Sequence, residues 1–169
     1  TVRNGTKDYI DVVKKGNERV LEARLADAKF FYDEDLKIVL ENNLEKLKKI
    51  TFQEKLGTAY QKMERVYELT KYLGEEIFCY ENSVVENALL AARLSKADLV
   101  SNVVMEFPEL QGIMGEEYAL KTMSTPKETA QAIREHYLPR FAGDKLPESK
   151  EGVLTSLADK IDTIVGCFA

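Results

Sequence analysis

Apolar positions recur along most of the chain at spacings of three and four, the period of a helix with one buried face. Leu21, Leu25, Ala28 and Tyr32 form a first stripe, and Asn17 stands where it can cap that helix. Leu36, Leu40, Leu44 and Leu47 form a second. Leu56, Ala59, Tyr60, Met63, Val66, Tyr67, Thr70 and Leu73 hold one face over several turns, and Gly74 follows where a left-handed C-terminal residue is expected. Ser83-Val84-Val85-Glu86 reads as a capping box opening a fourth helix, apolar nearly all round through Leu94 and therefore central. A short helix ends at Glu106 before Pro108, and Pro108 suits the first turn of the next, with Leu110, Ile113, Met114 and Tyr118 inward. Thr125-Pro126-Lys127-Glu128 is a second capping box. A loop lies between Pro139 and Pro147, and a last helix carries Val153, Leu154, Leu157, Ala158, Ile161, Ile164, Val165 and Phe168.

Residues 1–16 are less helical in pattern. Asn4-Gly5 is a turn signal, and Tyr9 to Val13 reads as one short strand stopped by Gly16. We expect a connector or tail of a preceding domain at 1–16, and one all-α domain, a compact multi-helix bundle, over 17–169. No apolar run follows a basic start near Thr1, so a signal peptide is not expected, and the chain reads as a piece of a longer protein.

Composition narrows the chemistry. The 169 residues are 44% hydrophobic and 31% charged, with a net charge of −5. A surface that is acidic overall argues against anionic membranes, and restricts any RNA contact to a local basic face. No stretch is apolar enough to span a bilayer. Cys79 and Cys167 are too few for a zinc site and read as small buried hydrophobes of a reducing, cytoplasmic compartment. His136 is the one histidine and reads as structural; Gly112 and Gly115 follow no strand, so they form no phosphate-binding loop. Asp27 and Asp98 interrupt apolar helices. A buried carboxylate is costly unless paired, so Arg24, Lys29, Arg93 or Lys96 is expected beside them. Cations gather at Arg19, Arg24 and Lys29, at Lys46, Lys48 and Lys49, at Lys62 with Arg65, and at Arg93 with Lys96, and each group reads as a solvated face.

Five segments, GNERVLEARLADAKFFYDED (16–35), FQEKLGTAYQKMERV (52–66), LSKADLVSNVVMEFPELQGIMGEEYA (94–119), AIREHYLPRFAGDKLP (132–147) and LADKIDTIVGCFA (157–169), closely resemble the beta subunit of bacterial glycyl-tRNA synthetase, in the family's order. The region concerned has a fold similar to the HD-type metal phosphohydrolases, which hold a metal with a first His, an adjacent His-Asp pair and a later Asp. The resemblance places Ser95-Lys96 at the pair and Asp159 at the later aspartate. An ammonium brings a like charge and no acceptor to a divalent cation, so the metal site reads as degenerate, with Asp159 paired to Lys96.

The resemblance further implies a parent ligase that attaches glycine to tRNA-Gly using ATP and Mg, as a heterotetramer with an alpha subunit that carries most of the active site. This chain would then hold no cofactor and no catalytic residue. It would pack against other beta-subunit domains and touch tRNA through Arg19, Arg24, Lys62, Arg65 or Arg140. The alternatives are a metal-dependent phosphohydrolase using Asp98, His136, Asp159 and Asp162, and a purely architectural domain. Lys121 to Lys127 departs from the family's short glycine-containing turn, which bears on a surface loop alone.

Overall fold

The computed structural model describes residues 9–168. Helix α1 (Ile10–Asp35) leads through a turn into a 3₁₀ helix (Leu40–Lys49) and a small hairpin of β1 (Thr51–Gln53) and β2 (Gly57–Thr58). Then come α2 (Ala59–Tyr72), a π-helical turn (Leu73–Ile77), α3 (Asn82–Leu94), a 3₁₀ turn (Ala97–Val100), α4 (Asn102–Glu106), a second 3₁₀ turn (Pro108–Leu110), α5 (Ile113–Met123), α6 (Lys127–Glu135) and α7 (Lys150–Cys167). The all-α expectation holds, and the two short strands pair only with each other.

Helix α3 is the centre. It packs on α2, α6 and α7, and Ala88, Ala91, Ala92 and Leu94 are buried. Its small side chains let three neighbours approach at once, which is why a helix apolar on all sides belongs here. A larger cluster, from Leu40, Leu44 and Leu47 through Val103 and Val104 to Tyr118 and Ile133, joins the 3₁₀ helix to α4, α5 and α6.

Several local expectations are corrected. Ile10 to Gly16 is helix rather than an extended segment, and α1 runs through Gly16 and Asn17 without a cap. One interior glycine costs about 1 kcal/mol, too little to stop a helix whose apolar positions continue on both sides. The Asn4-Gly5 turn lies outside the described residues. The Ser83 box does not form, because α3 starts at Asn82 after Glu81 with no side-chain cap. The Thr125 box does not form either: Thr125 Oγ1 donates to the Ala119 carbonyl at 2.9 Å, closing α5 instead of opening α6. The box that exists is on α2, where Gln61 N donates to Thr58 Oγ1 (3.3 Å) and Thr58 N to Gln61 Oε1 (2.9 Å).

Gly74 is buried in the π-helical turn, not in a left-handed cap; a Cβ there would lie 3.0 Å from Val85 Cγ2, so close packing requires it. Gly112 does adopt φ 79° and separates the Pro108 turn from α5, so that sixth helix is two elements. Cys79 and Cys167 are both exposed, not buried. Leu21 and Leu25 are exposed on α1, and Ile164, Val165 and Phe168 at the end of α7. Asp27 is exposed too and makes no core ion pair.

Candidate functional site

The backbone turns sharply where α3 ends. Ser95 Oγ donates to the Ala92 carbonyl at 2.9 Å, so its hydroxyl is used in closing the helix. Lys96 then enters the core between α3, α6 and α7. Its Nζ lies 2.8 Å from His136 Nε2, 3.1 Å from Asp159 Oδ1 and 4.3 Å from the centre of the Tyr137 ring. The expected Lys96–Asp159 pair is present. His136 stands at the C-terminal end of α6, with Nδ1 2.5 Å from the Ile133 carbonyl. A carbonyl only accepts, so Nδ1 carries the proton and Nε2 accepts from Lys96.

A second lysine completes the cluster. Lys62 Nζ lies 3.3 Å from Asp159 Oδ1 and 2.9 Å from Asp162 Oδ2, and donates to Thr163 Oγ1 at 2.8 Å. Asp162 is also held by Arg65 Nε at 2.5 Å, while Arg65 Nη1 donates to the Leu56 carbonyl at 3.0 Å. Asp159 and Asp162 are three apart on α7 and so share a face. Above them is a pocket of about 250 Å³, lined by Phe52, Lys62, Lys96, Gln111, Tyr137 and Asp159 among others.

Two predicted contacts are corrected here. Asp98 is fully buried, but its partner is no lysine: Oδ2 accepts from Gly112 N (2.7 Å) and Gly115 N (3.1 Å), the amide groups that open α5. Lys62 is only 3% exposed and its hydrogens are spent inside the fold, so it is no phosphate contact. The signal was in the sequence, since Lys62 falls inside the stripe of Ala59, Met63 and Val66. Arg65 is engaged by Asp162 and Leu56. Arg19, Arg24 and Arg140 are exposed; Arg24 pairs with Glu106 at 3.4 Å.

The electrostatics follow from burial and these neighbours. Burial pushes the Asp159 carboxyl up, but the Lys96 ammonium and the other groups around it, Lys62 among them, together outweigh burial and bring the group down to about 2. Burial and then the Lys96 charge hold His136 well below its usual range, so it is neutral. Burial lowers Lys96, opposed by Asp159. Burial raises Asp98 to about 6, against the pull of the Gly112 amide.

A divalent cation does not fit these residues. The imidazole Nε2 and the Asp159 carboxylate converge on an ammonium already in place, Asp98 turns to backbone amides, and Asp162 turns to Lys62 and Arg65. Among the described residues no three His, Cys, Asp or Glu side chains are grouped to hold a metal. The four side chains of the phosphohydrolase alternative are not brought into one ligand set.

A pH prediction follows. Below about pH 6.5 the unfolded chain protonates its histidine while the folded chain does not, so acid lowers stability. Asp98 acts oppositely between about 6 and 4, where the folded chain takes its proton first. Below about 4, the unfolded chain protonates Asp159 before the folded chain does, and its stabilisation is lost down to about 2. His136→Gln should therefore lose less stability than the parent between pH 7 and 5, by up to about 1.4 kcal/mol per pH unit, in urea titrations. Equal pH slopes would show His136 to be charged in the fold.

The fold and this cluster define a class: an all-helical domain closed by an internal ammonium–imidazole–carboxylate lock. The family model described as glycyl-tRNA synthetase beta subunit matches residues 1–169. Relatives named glycine–tRNA ligase beta subunit include those of Desulforamulus reducens, 54% identical over 99% of this chain, Geobacter sp. (strain M21), 55% identical over 99%, and Shouchella clausii, 53% identical over 100%. The chain belongs to the glycyl-tRNA synthetase beta subunit family. It spans 24% of the length of each of these relatives.

Proposed function

We propose that this chain is a non-catalytic part of an ATP-dependent glycine–tRNA ligase, acting as a scaffold that also touches tRNA-Gly. The supporting observation is that Lys96 lies between His136 and Asp159 and leaves no open ligand set there. Attachment of glycine, with ATP and Mg, then belongs to the alpha subunit and to other parts of the assembly, a cytoplasmic heterotetramer. No helix among the described residues is long and apolar enough to cross a membrane.

We take residues 17–169 as the helical domain and residues 1–16 as the connector that leads into it. Contact with RNA falls to Arg19, Arg24 and Arg140, which are exposed. Changing all three to Glu in the assembled ligase should weaken tRNA binding about tenfold or more and flatten its salt dependence by about two to three in log–log slope, read by filter binding at several salt concentrations. Unchanged affinity and slope would leave the purely architectural role. Activation of glycine measured without tRNA should be unaffected.

A further inference from the structure

Helix α1 carries an apolar face on whose outer half none of the described residues packs. Ile10, Val13, Leu21 and Leu25 lie on the same side as Ala28, Tyr32 and Asp35 at 100° per residue. At the inner end that side meets the body: Tyr32 stacks on Tyr118 with ring centres 6.0 Å apart, and Asp35 is buried. The body follows the helix as far as Arg24, whose guanidinium lies 5.2 Å from the Phe107 ring centre. Beyond it every residue from Tyr9 to Val20 is exposed. Leu21 and Leu25 are 57% and 63% exposed, and Met105 on the adjoining α4 is 71% exposed. The stripe that faces the body thus continues past its edge.

We propose that this overhanging face is covered, in the complete subunit, by an apolar element from the part of the same polypeptide outside this chain. The inference rests on the reading of the chain as a portion of a beta subunit. Three observations favour that occupant. The relatives are about four times as long, so a large tethered partner is at hand. Tethering supplies an effective concentration of about a millimolar, enough for a stripe of four apolar side chains. A second copy is a poorer match, because Lys14 and Asn17 fall in the middle of the stripe and a parallel helix pair would set each against its own copy in the seam. RNA is poorer still, since the two cations on that side each face a carboxylate, Lys14 that of Glu18 at 3.8 Å and Arg24 that of Glu106 at 3.4 Å, while Lys15 and Arg19 lie on the opposite side of the helix.

The test is maleimide labelling of Leu21→Cys, with Cys79 and Cys167 changed to Ser. Rates are compared in this chain, in the complete beta subunit, and in that subunit with alpha subunit or tRNA added. Glu22→Cys, on the polar side, reports whether the helix is intact and open. The expected result is slowing of Leu21→Cys by about tenfold or more in the beta subunit alone, with Glu22→Cys fast throughout. Slower labelling of this chain with rising concentration would identify a second copy and overturn the proposal. Slowing that needs the alpha subunit or tRNA, slowing at Glu22→Cys instead, or a smaller effect than tenfold would each overturn it as well. None of these outcomes bears on whether the assembled enzyme charges tRNA, which is measured separately.

Discussion

Replacing Lys96 with methionine is expected to destabilise the domain by about 3 kcal/mol. Methionine keeps the length and apolar bulk of the stem, so the loss isolates the charge. Without the ammonium, Asp159 remains ionised in a site where only Lys62, 3.3 Å away, offsets it, and His136 Nε2 loses its donor. Breaking one side of a buried pair costs about 3–5 kcal/mol, and the second lysine puts this case at the lower end. For a chain of this size that is a fall in Tm of about 10 °C. The double variant Lys96→Met with Asp159→Asn should recover more than half of the loss, because the orphaned charge goes with its partner. Calorimetry of the single and double variants decides the matter. A loss under about 1 kcal/mol in the single variant would mean that Lys96 is only a bystander in the core.

The second large effect is expected at Asp35, the last residue of α1. Its Oδ1 accepts from Asn102 N at 2.9 Å and from Asn102 Nδ2 at 2.9 Å. Its Oδ2 accepts from Val103 N at 3.0 Å and from Tyr118 Oη at 2.8 Å. One carboxylate therefore satisfies the opening turn of α4 and joins α1 to α4 and α5. Helix α4 has five residues, too few to persist on local bonding alone. Asp35→Ala strands the buried donors Val103 N and Tyr118 Oη and frees Asn102, at about 3 kcal/mol in urea denaturation. Amide exchange at 102–106 should accelerate more than exchange in α3. Asp35→Asn keeps one oxygen and should cost about half as much. A uniform change in exchange across both helices would show that Asp35 supports the whole domain rather than α4.

Most helices were legible because burial sets a period. Helix α3 could be placed at the centre from Ala88 to Leu94 alone, since only a position surrounded by neighbours shelters every face. The stripe of α2 held over its full length. Helix ends were less legible, and for a definite reason. A hydroxyl such as that of Thr125 has several possible partners within reach, and the chain's path decides whether it opens α6 or closes α5. The start of α1 was misread because Tyr9 to Val13 has strand-forming residues, and only continuity with the stripe beyond Gly16 marks it as helix. The exposed Leu21 and Leu25 were misread as core because an apolar face looks the same whether its partner is inside the chain or outside it.

The candidate site divides in the same way. The lysine at position 96, the aspartate at 159 and the family itself are properties of residue identity and order, and needed no coordinates. That Lys96 reaches both Asp159 and His136, that Lys62 is drawn inside, and that Asp98 turns to the amides of Gly112 and Gly115 were decided only when α2, α3, α6 and α7 came together. Periodicity is carried by near neighbours along the chain, so it survives in one dimension. The partner of a buried charge is whichever opposite charge or aligned dipole the packing leaves within about 3 Å, and in one dimension several candidates stand at equal rank.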